Sequence, residues 1–267
     1  MTELTLATEK MKAEKRDGIG WITFNNPDRR NAIGYAMREA ILEIIEDFES
    51  DPAIRVIVMR GAGDKAFVSG SDISEFAEKR ATPEQREVYD ALSAKVNAAF
   101  SNIQKPLIAM IRGFCMGAGV GMALHADMRV AAAGSQFGVP AAKLALGYPF
   151  RNMKKIIDLV GPAKTKEIIF TGRRFSGEEA LAMGLINQLV PAADLDKVVH
   201  ELASTIAANA PLTILATKVI VAEAAKDPVD RDIAICDELV ENCMLSEDYK
   251  EGRTAFLEKR PPMFKGK

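Results

Sequence analysis

Residues 113–127 read GFCMGAGVGMALHAD, and residues 106–111 just before them read PLIAMI. The unbroken apolar run predicts a buried parallel strand, and the glycines after it predict a helix that begins at about Ala118. Backbone amides in the first turn of a helix have no intrahelical acceptor and carry a partial positive charge. The stretch therefore predicts a turn that can hold an anion or a developing oxyanion through main-chain amides alone.

Two other interpretations of this stretch compete with the first. A dinucleotide-binding turn requires an acidic residue about 20 residues after the glycines to hold the ribose. No Asp or Glu occurs from Met128 to Ile157, which argues against a dinucleotide fold. A simpler alternative remains: the small residues of this stretch only allow a helix to pack closely against its neighbours.

Composition and charge exclude several classes of protein. The 267 residues are 48% apolar, which is enough for a substantial core, and the net charge of −2 attracts neither nucleic acid nor an anionic membrane. Residues 1–16 are charged throughout and contain no signal segment, while three cysteines without a CxxC pair suit a reducing compartment. We therefore expect a cytoplasmic protein that binds neither nucleic acid nor membranes.

With only two histidines we expect no metal site, and His125, on the predicted helix, is expected to be a hydrogen-bonded structural residue.

The order of the predicted elements indicates an α/β fold. The predicted strands cover residues 11–16, 19–25 and 54–60, and the predicted helices cover residues 35–50 and 83–103. A strand–helix–strand succession of this kind implies a right-handed crossover. Asp72 is predicted to cap a short helix that starts near Ile73. Between Pro191 and Pro211 the pattern becomes continuously helical, so the last sixty or so residues are expected to form a separate helical layer.

Five segments carry a resemblance to a known family: 26–32 (NPDRRNA), 65–73 (KAFVSGSDI), 113–119 (GFCMGAG), 135–138 (SQFG) and 177–187 (GEEALAMGLIN). In their order and spacing they resemble the crotonase, or enoyl-CoA hydratase/isomerase, superfamily over nearly the whole chain. The resemblance implies a spiral of ββα repeats over residues 1–200. It also implies a C-terminal helical region over residues 201–267 that builds homotrimers, often paired into hexamers, and acyl-CoA thioesters as substrates.

The resemblance assigns catalysis to two backbone amides, those of Ser71 and Ala118. They would form an oxyanion hole for the thioester carbonyl and for the enolate made from it. The resemblance also implies a set of substrate-binding residues: Arg30, Ala32, Lys65, Gly70, Asp72, Ile73, Gly117, Gly121 and Ala141, with Phe264 and Lys265 as further candidates. Arg30 and Lys65 could pair with phosphates, although solvated loop charges are the plainer interpretation of both.

The sequence departs from the hydratase pattern at two positions. Hydratases of the superfamily use two glutamates to place and activate a water, and the matching positions here are Gly121 and Ala141. Each positioned acid or base contributes about 10² to 10⁴ in rate. Hydration by the two-glutamate route is therefore disfavoured, as is isomerisation through the second glutamate. In some carbon–carbon bond-forming members a glycine at the first position admits bicarbonate, which gives Gly121 a second interpretation.

Tyr148 is a further candidate from the resemblance. Counted without gaps from Phe137, it falls where decarboxylases of the superfamily place a functional tyrosine. A phenol with a pKa near 10 is a hydrogen-bond donor at neutral pH. Tyr148 could orient a substrate carboxylate or protonate an enolate, and a role as a pocket wall is equally open.

The expected function is that of an enoyl-CoA hydratase/isomerase family enzyme, nominally an enoyl-CoA hydratase and hence a lyase. Alternatives on the same fold are decarboxylation, hydrolysis and carbon–carbon bond chemistry, and the alternative from another class is a non-catalytic acyl-CoA-binding subunit. Coenzyme A is expected as part of the substrate, with no separate cofactor unless bicarbonate binds. Apolar residues of the C-terminal helices are expected to be buried against another subunit: Ile233, Leu239, Val240 and Met244.

Overall fold

A seven-stranded sheet forms the centre of the protein in a computed structural model that describes residues 2–267. Its strands, in spatial order, are β1 (Thr2–Glu3), β2 (Met11–Arg16), β3 (Ile19–Phe24), β4 (Val56–Gly61), β6 (Leu107–Ile111), β8 (Met128–Ala132) and β11 (Gln188–Val190). The pairs β1–β2 and β2–β3 are antiparallel, and every later neighbouring pair is parallel. The strand predicted from PLIAMI is β6, which is buried along its whole length between two parallel partners.

A smaller four-stranded sheet accompanies the large one. Its spatial order is β10 (Phe175–Ser176), β9 (Gln136–Gly138), β7 (Phe114–Met116) and β5 (Ala66–Val68). The pairs β5–β7 and β7–β9 are parallel. Parallel strands end at the same edge, so the segments that follow β5 and β7 emerge side by side.

The chain alternates between the two sheets in a repeating way. After β4 it enters β5 and then two helices, α2 (Phe76–Lys79) and α3 (Pro83–Ser101). After β6 it enters β7 and then α4 (Ala118–Ala123), and after β8 it enters β9 and then α5 (Phe150–Thr171). Each repeat thus places one strand in each sheet and follows them with helix, which confirms the predicted spiral of ββα units.

Helices cover both faces of the large sheet. On one face lies α1 (Tyr35–Ser50), whose apolar side carries Met37, Ile41, Ile44 and Phe48 into the main core, as the 3.6-residue spacing predicts. On the other face α7 (Leu195–Ala208) buries Leu195, Val199 and Ala203 against Trp21 and its neighbours in β3, β4, β6 and β8. Between α5 and α7 lies one further short helix, α6 (Gly177–Ala182).

Three helices complete the chain: α8 (Pro211–Ala224), α9 (Ile233–Leu245) and α10 (Glu247–Glu258). The predicted division after residue 200 falls inside α7, and a division of the chain into two domains stays a prediction. Ile233, Val240 and Met244 are exposed on these helices and Leu239 is half-buried. Within residues 2–267 no single helix is long and apolar enough to cross a membrane; α7 and α8 reach that length and composition only as a pair, bent by 105° where they meet.

Helix α4, which begins at Ala118, is shorter than the sequence predicts. It ends at Ala123, so His125 follows the helix instead of lying on it, contrary to the prediction. The physical reason is the geometry of the next strand: Asp127 donates its amide to Leu107 O at 2.8 Å and accepts from Leu107 N at 2.7 Å through its carboxylate. These bonds turn the chain so that β8 can lie beside β6.

Candidate active site

The two predicted oxyanion-hole residues lie on adjacent loops. Ser71 follows β5 by three residues, and Ala118 follows β7 by two. Because β5 and β7 are parallel neighbours, both loops leave the small sheet at one edge. A Cβ atom built on Gly117 would lie 4.0 Å from the Cα of Gly70, which shows how closely the loops approach each other.

The direction of the Ser71 amide follows from its neighbours. Gly70 O accepts a hydrogen bond from Ile33 N at 2.9 Å, and Asp72 N donates to Ile33 O at 3.0 Å. In a trans peptide the C=O and the following N–H point in opposite directions, so the Ser71 N–H points away from Ile33. Within residues 2–267 this amide has no hydrogen-bond acceptor.

The Ala118 amide is free for a different reason. Ala118 is the first residue of α4, and amides of the first turn have no intrahelical acceptor. Gly117 precedes it with φ 53°, a backbone conformation that favours glycine, and donates its own amide to Gly138 O at 2.8 Å. The turn is therefore held by the neighbouring strand while the next amide remains available.

The two glycines of α4, Gly119 and Gly121, have different surroundings. A Cβ on Gly119 would lie 2.0 Å from Val68 O, so only glycine lets the helix pack this closely on β5. A Cβ on Gly121 would meet no heavy atom within 4 Å. Close packing therefore explains Gly119, whereas Gly121 borders open space.

A buried arginine that the sequence analysis did not single out supports the Ser71 loop. Arg38, on α1, donates to Ile33 O at 2.9 Å and Gly34 O at 3.1 Å, and its other terminal nitrogen donates to Ser71 Oγ at 3.3 Å. Its guanidinium lies 4.7 Å from the ring centroid of Tyr89. The Tyr89 hydroxyl is buried without a hydrogen-bond partner in the part of the chain described, and burial raises the pKa of Tyr89.

Arg30 and Lys65 line one cavity of about 480 Å³, together with neighbouring residues of the 27–31 and 62–66 loops. Buried Asn31 joins these loops: its side-chain amide donates to Ala62 O at 3.0 Å and to Ala66 O at 2.7 Å. Its Oδ1 accepts from Asn26 N at 3.0 Å. The cavity thus has a fixed frame, and its lining carries two cations, Arg30 and Lys65, beside two carboxylates, Asp28 and Asp64. The two cations are the groups that can pair with phosphates.

The other predicted contacts have distinct environments. Asp72 caps the short 3-10 helix 73–75 by accepting from Ser74 N at 3.1 Å, as predicted. Burial alone would raise the pKa of Asp72, but the two hydrogen bonds from Ser74 outweigh it and hold this pKa below its ordinary value. Ala32 is buried, whereas Ile73 is 72% exposed beside the site. Phe264 and Lys265 do not line the Arg30 cavity of this chain.

The two positions matched to hydratase glutamates supply no charge. Ala141 is buried at the start of a 3-10 helix over 141–144, and Gly121 faces the open space already described. Tyr148 is half-buried against the main core, and burial raises its pKa to about 12. Tyr148 is therefore a protonated phenol at neutral pH.

Two sheets built from ββα repeats, with two free amides at the ends of neighbouring parallel strands, define a protein of the crotonase fold. A model of the Enoyl-CoA hydratase/isomerase family matches residues 14–267, and the chain belongs to this enzyme family. It is 32% identical to the short-chain-enoyl-CoA hydratase of Clostridium acetobutylicum over 247 residues, 92% of this chain and 94% of that protein.

Two further relatives agree with this assignment. The carnitinyl-CoA dehydratase of Escherichia coli strain K12 is 33% identical over 264 residues, 97% of this chain and 100% of that protein. A crystal structure of an enoyl-CoA hydratase/carnithine racemase from Magnetospirillum magneticum matches with a TM-score of 0.92 and 34% identity, covering 98% of this chain and 97% of that one. The match over whole chains extends the resemblance from five segments to the complete fold.

Proposed function

We propose that this protein acts on acyl-CoA thioesters and stabilises the thioester enolate between the amides of Ser71 and Ala118. The observation that carries the proposal is the pair of free amides on adjacent loops, each held in place by hydrogen bonds of its neighbours. Preorganised donors of this kind stabilise charge that develops in the transition state, and loss of one typically costs about 10² to 10³ in rate.

Coenzyme A would bind as part of the substrate in the cavity between the 27–31 and 62–66 loops. Arg30 and Lys65 supply cations for its phosphates. Lys65 is well placed because its carbonyl accepts from Phe114 N at 3.0 Å, which fixes the loop on β7 and hence near Ala118. The thioester end of the substrate would then reach the two amides.

Several reactions can proceed through a thioester enolate held by two amides. The names of the relatives support hydration or dehydration of an enoyl-CoA. Gly121 and Ala141 carry no acid or base, so a hydratase activity would need another group to activate water. Decarboxylation, hydrolysis or carbon–carbon chemistry through the same enolate are the alternatives, with Tyr148 as the candidate proton donor. The same two positions favour an acyl-CoA-binding subunit without turnover as the second candidate function.

Turnover of crotonyl-CoA beside methylmalonyl-CoA, with products identified by mass spectrometry, tests these alternatives. Hydration of crotonyl-CoA would show that a group outside positions 121 and 141 activates water. Release of carbon dioxide from methylmalonyl-CoA would support decarboxylation and a role for Tyr148. Tight acyl-CoA binding without turnover across a wider panel of thioesters would support the binding subunit.

The open space at Gly121 has room for a small anion such as bicarbonate, and a rate that is unchanged on removing and restoring bicarbonate would contradict its involvement.

We also propose a homotrimer or hexamer, because Ile233, Val240 and Met244 leave apolar surface exposed on α9. A monomer in light scattering would contradict the proposed assembly.

A further inference from the structure

Three elements meet at a polar cluster that the proposed reaction does not use. Lys155, on α5, places its ammonium nitrogen 2.8 Å from His125 Nδ1. His125 Nε2 lies 2.9 Å from Oδ1 of Asn97, on α3. The Phe100 ring stacks on the imidazole with a centroid distance of 4.8 Å. The lysine is therefore held in one position by a half-buried, stacked histidine.

The hydrogen bonds determine the protonation state of the histidine. Asn97 donates its side-chain amide to Ser93 O at 2.9 Å, so its Oδ1 is the atom that faces His125 and accepts from Nε2–H. The Nδ1 atom then carries a lone pair and accepts from Lys155. Burial, and secondarily the charge of Lys155, lower the pKa of His125 to about 3, which agrees with a neutral imidazole.

The charge of Lys155 has no counter-ion in the part of the chain described. No carboxylate of residues 2–267 forms a salt bridge with it, and the neutral imidazole is the only acceptor of its ammonium group. An ammonium group has three donors, so donors remain free for a further acceptor. Burial lowers the pKa of Lys155 to about 8, and most of the population is still protonated at neutral pH. A partly buried cation without a partner is costly unless an anion binds it.

Open space lies beside this cluster. His125 is one turn beyond Gly121, and the helical bonding of this turn extends to Leu124, whose amide donates to Val120 O at 2.9 Å. The amide of His125 then donates to Met122 O at 3.1 Å, so the chain continues to turn past the end of α4 and His125 stays next to the turn that contains Gly121. At Gly121 a Cβ would meet no heavy atom within 4 Å. The backbone that carries His125 is therefore continuous with the turn that borders this open space.

We propose that Lys155, positioned by His125 and Asn97, forms a carboxylate-binding subsite at the far end of the acyl pocket. The substrates would then be CoA monothioesters of dicarboxylic acids. His125 lies seven positions after Ala118, which at a rise of about 1.5 Å per residue puts its backbone roughly 10 Å along the chain from the Ala118 amide. A cation hydrogen-bonded to His125 would therefore meet the distal carboxylate of an acyl chain and not the reacting carbons. The inference rests on the proposed acyl-CoA function and specifies its substrate class.

Calorimetric binding to the full-length protein tests the subsite without requiring turnover. The probes are succinyl-, glutaryl-, adipyl- and pimelyl-CoA, each compared with the monocarboxylic acyl-CoA of equal carbon number. A hydrogen-bonded charge pair is worth about 10- to 100-fold in affinity. We expect one chain length of the dicarboxylic series to bind at least about tenfold tighter than its monocarboxylic match. Lys155→Met should abolish this preference while the affinity for the monocarboxylic thioester stays within about twofold, and Lys155→Arg should restore most of it.

Three results would overturn the subsite. One is a dicarboxylic series that shows no preference over its monocarboxylic matches in the unaltered protein, a result that depends on no variant folding. Another is a preference that survives in Lys155→Met or, if that variant is unfolded, in Lys155→Gln. The third is Lys155→Met lowering turnover of every substrate equally with unchanged binding, which would make Lys155 a proton donor. Failure of all CoA thioesters to bind the unaltered protein would refute the acyl-CoA function itself, and the subsite with it.

Discussion

Replacing Ala118 by proline removes one amide donor and little else. Ala118 occupies the first position of α4, where a proline is well tolerated because its missing N–H has no intrahelical acceptor. The preceding residue, Gly117, has no Cβ to clash with the proline ring. The bond from Gly117 N to Gly138 O, which holds the turn, is unaffected by the change. Ala118→Pro therefore isolates the proposed donor.

The expected loss follows from the role of the amide in the transition state. One oxyanion-hole donor is worth about 2.7–4 kcal/mol, so kcat/KM should fall about 10² to 10³-fold. Most of the loss should appear in kcat, since the amide binds an enolate oxygen more strongly than a ground-state carbonyl. Stability should change by less than about 1 kcal/mol because no helical hydrogen bond is lost.

The assay is steady-state turnover of the thioester on which the unaltered enzyme is most active, with urea unfolding as the measure of stability. Ala118→Ser is the matched control, because it keeps the amide and should stay within a few-fold of the unaltered rate. Ser71→Ala is a second control, since it removes the hydroxyl that accepts from Arg38 but keeps the second amide. A folded Ala118→Pro enzyme with a rate within threefold of the unaltered one would refute the oxyanion-hole assignment.

Four other substitutions test the residues around the two amides. Gly119→Ala should destabilise the protein by about 1–3 kcal/mol, because its Cβ would meet the Val68 carbonyl at 2.0 Å. Gly121→Ala, with open space, should be neutral or stabilising by up to about 1 kcal/mol in the same urea titration; equal effects of the two would contradict the packing argument. Asn31→Ala should lower the free energy of unfolding by about 1–3 kcal/mol, because the two loops that frame the cavity lose the hydrogen bonds between them. It should also weaken CoA binding, measured by calorimetry. An unchanged CoA affinity would show that Asn31 does not shape a CoA-binding cavity. Tyr148→Phe should lower kcat at least tenfold if the phenol donates a proton. Because the pKa of Tyr148 is raised to about 12, the rate of the unaltered enzyme should not fall through ionisation of the phenol up to about pH 10. Unchanged turnover in Tyr148→Phe would mean that Tyr148 is only a wall of the pocket.

Local patterns in the sequence predicted the elements that frame the site. The helix over 35–50 was predicted with its observed bounds because Met37, Ile41, Ile44, Ile45 and Phe48 recur at helical spacing. Asp72 was predicted as a cap because a carboxylate just before a helix can accept hydrogen bonds from the amides of its first turn. The start of α4 at Ala118 followed from glycines after a buried strand. Each of these predictions depends on residues close together in the chain.

The sequence did not reveal contacts between residues far apart in the chain. Arg38 binds Ser71, which lies 33 residues further along the chain. The feature of the sequence that could have indicated this role is the position of a charged residue on the apolar face of a predicted helix. Asn31 binds carbonyls 31 and 35 residues away, and nothing in the local sequence indicates those partners. His125 was predicted as a structural histidine without its partners, Asn97 and Lys155, which come from two other helices. Pairings of this kind depend on how the repeats stack.

The charge around the candidate site bears on which reaction it favours. Gly121 and Ala141 contribute no charge, and the ammonium group of Lys155 has no counter-ion in the part of the chain described. Ionised carboxylates at positions 121 and 141 would destabilise an enolate and would assist only by moving protons. A pocket without a protein base suits reactions in which the enolate electron pair comes from a breaking carbon–carbon bond, and a pocket with a free cation suits acyl groups that carry their own carboxylate.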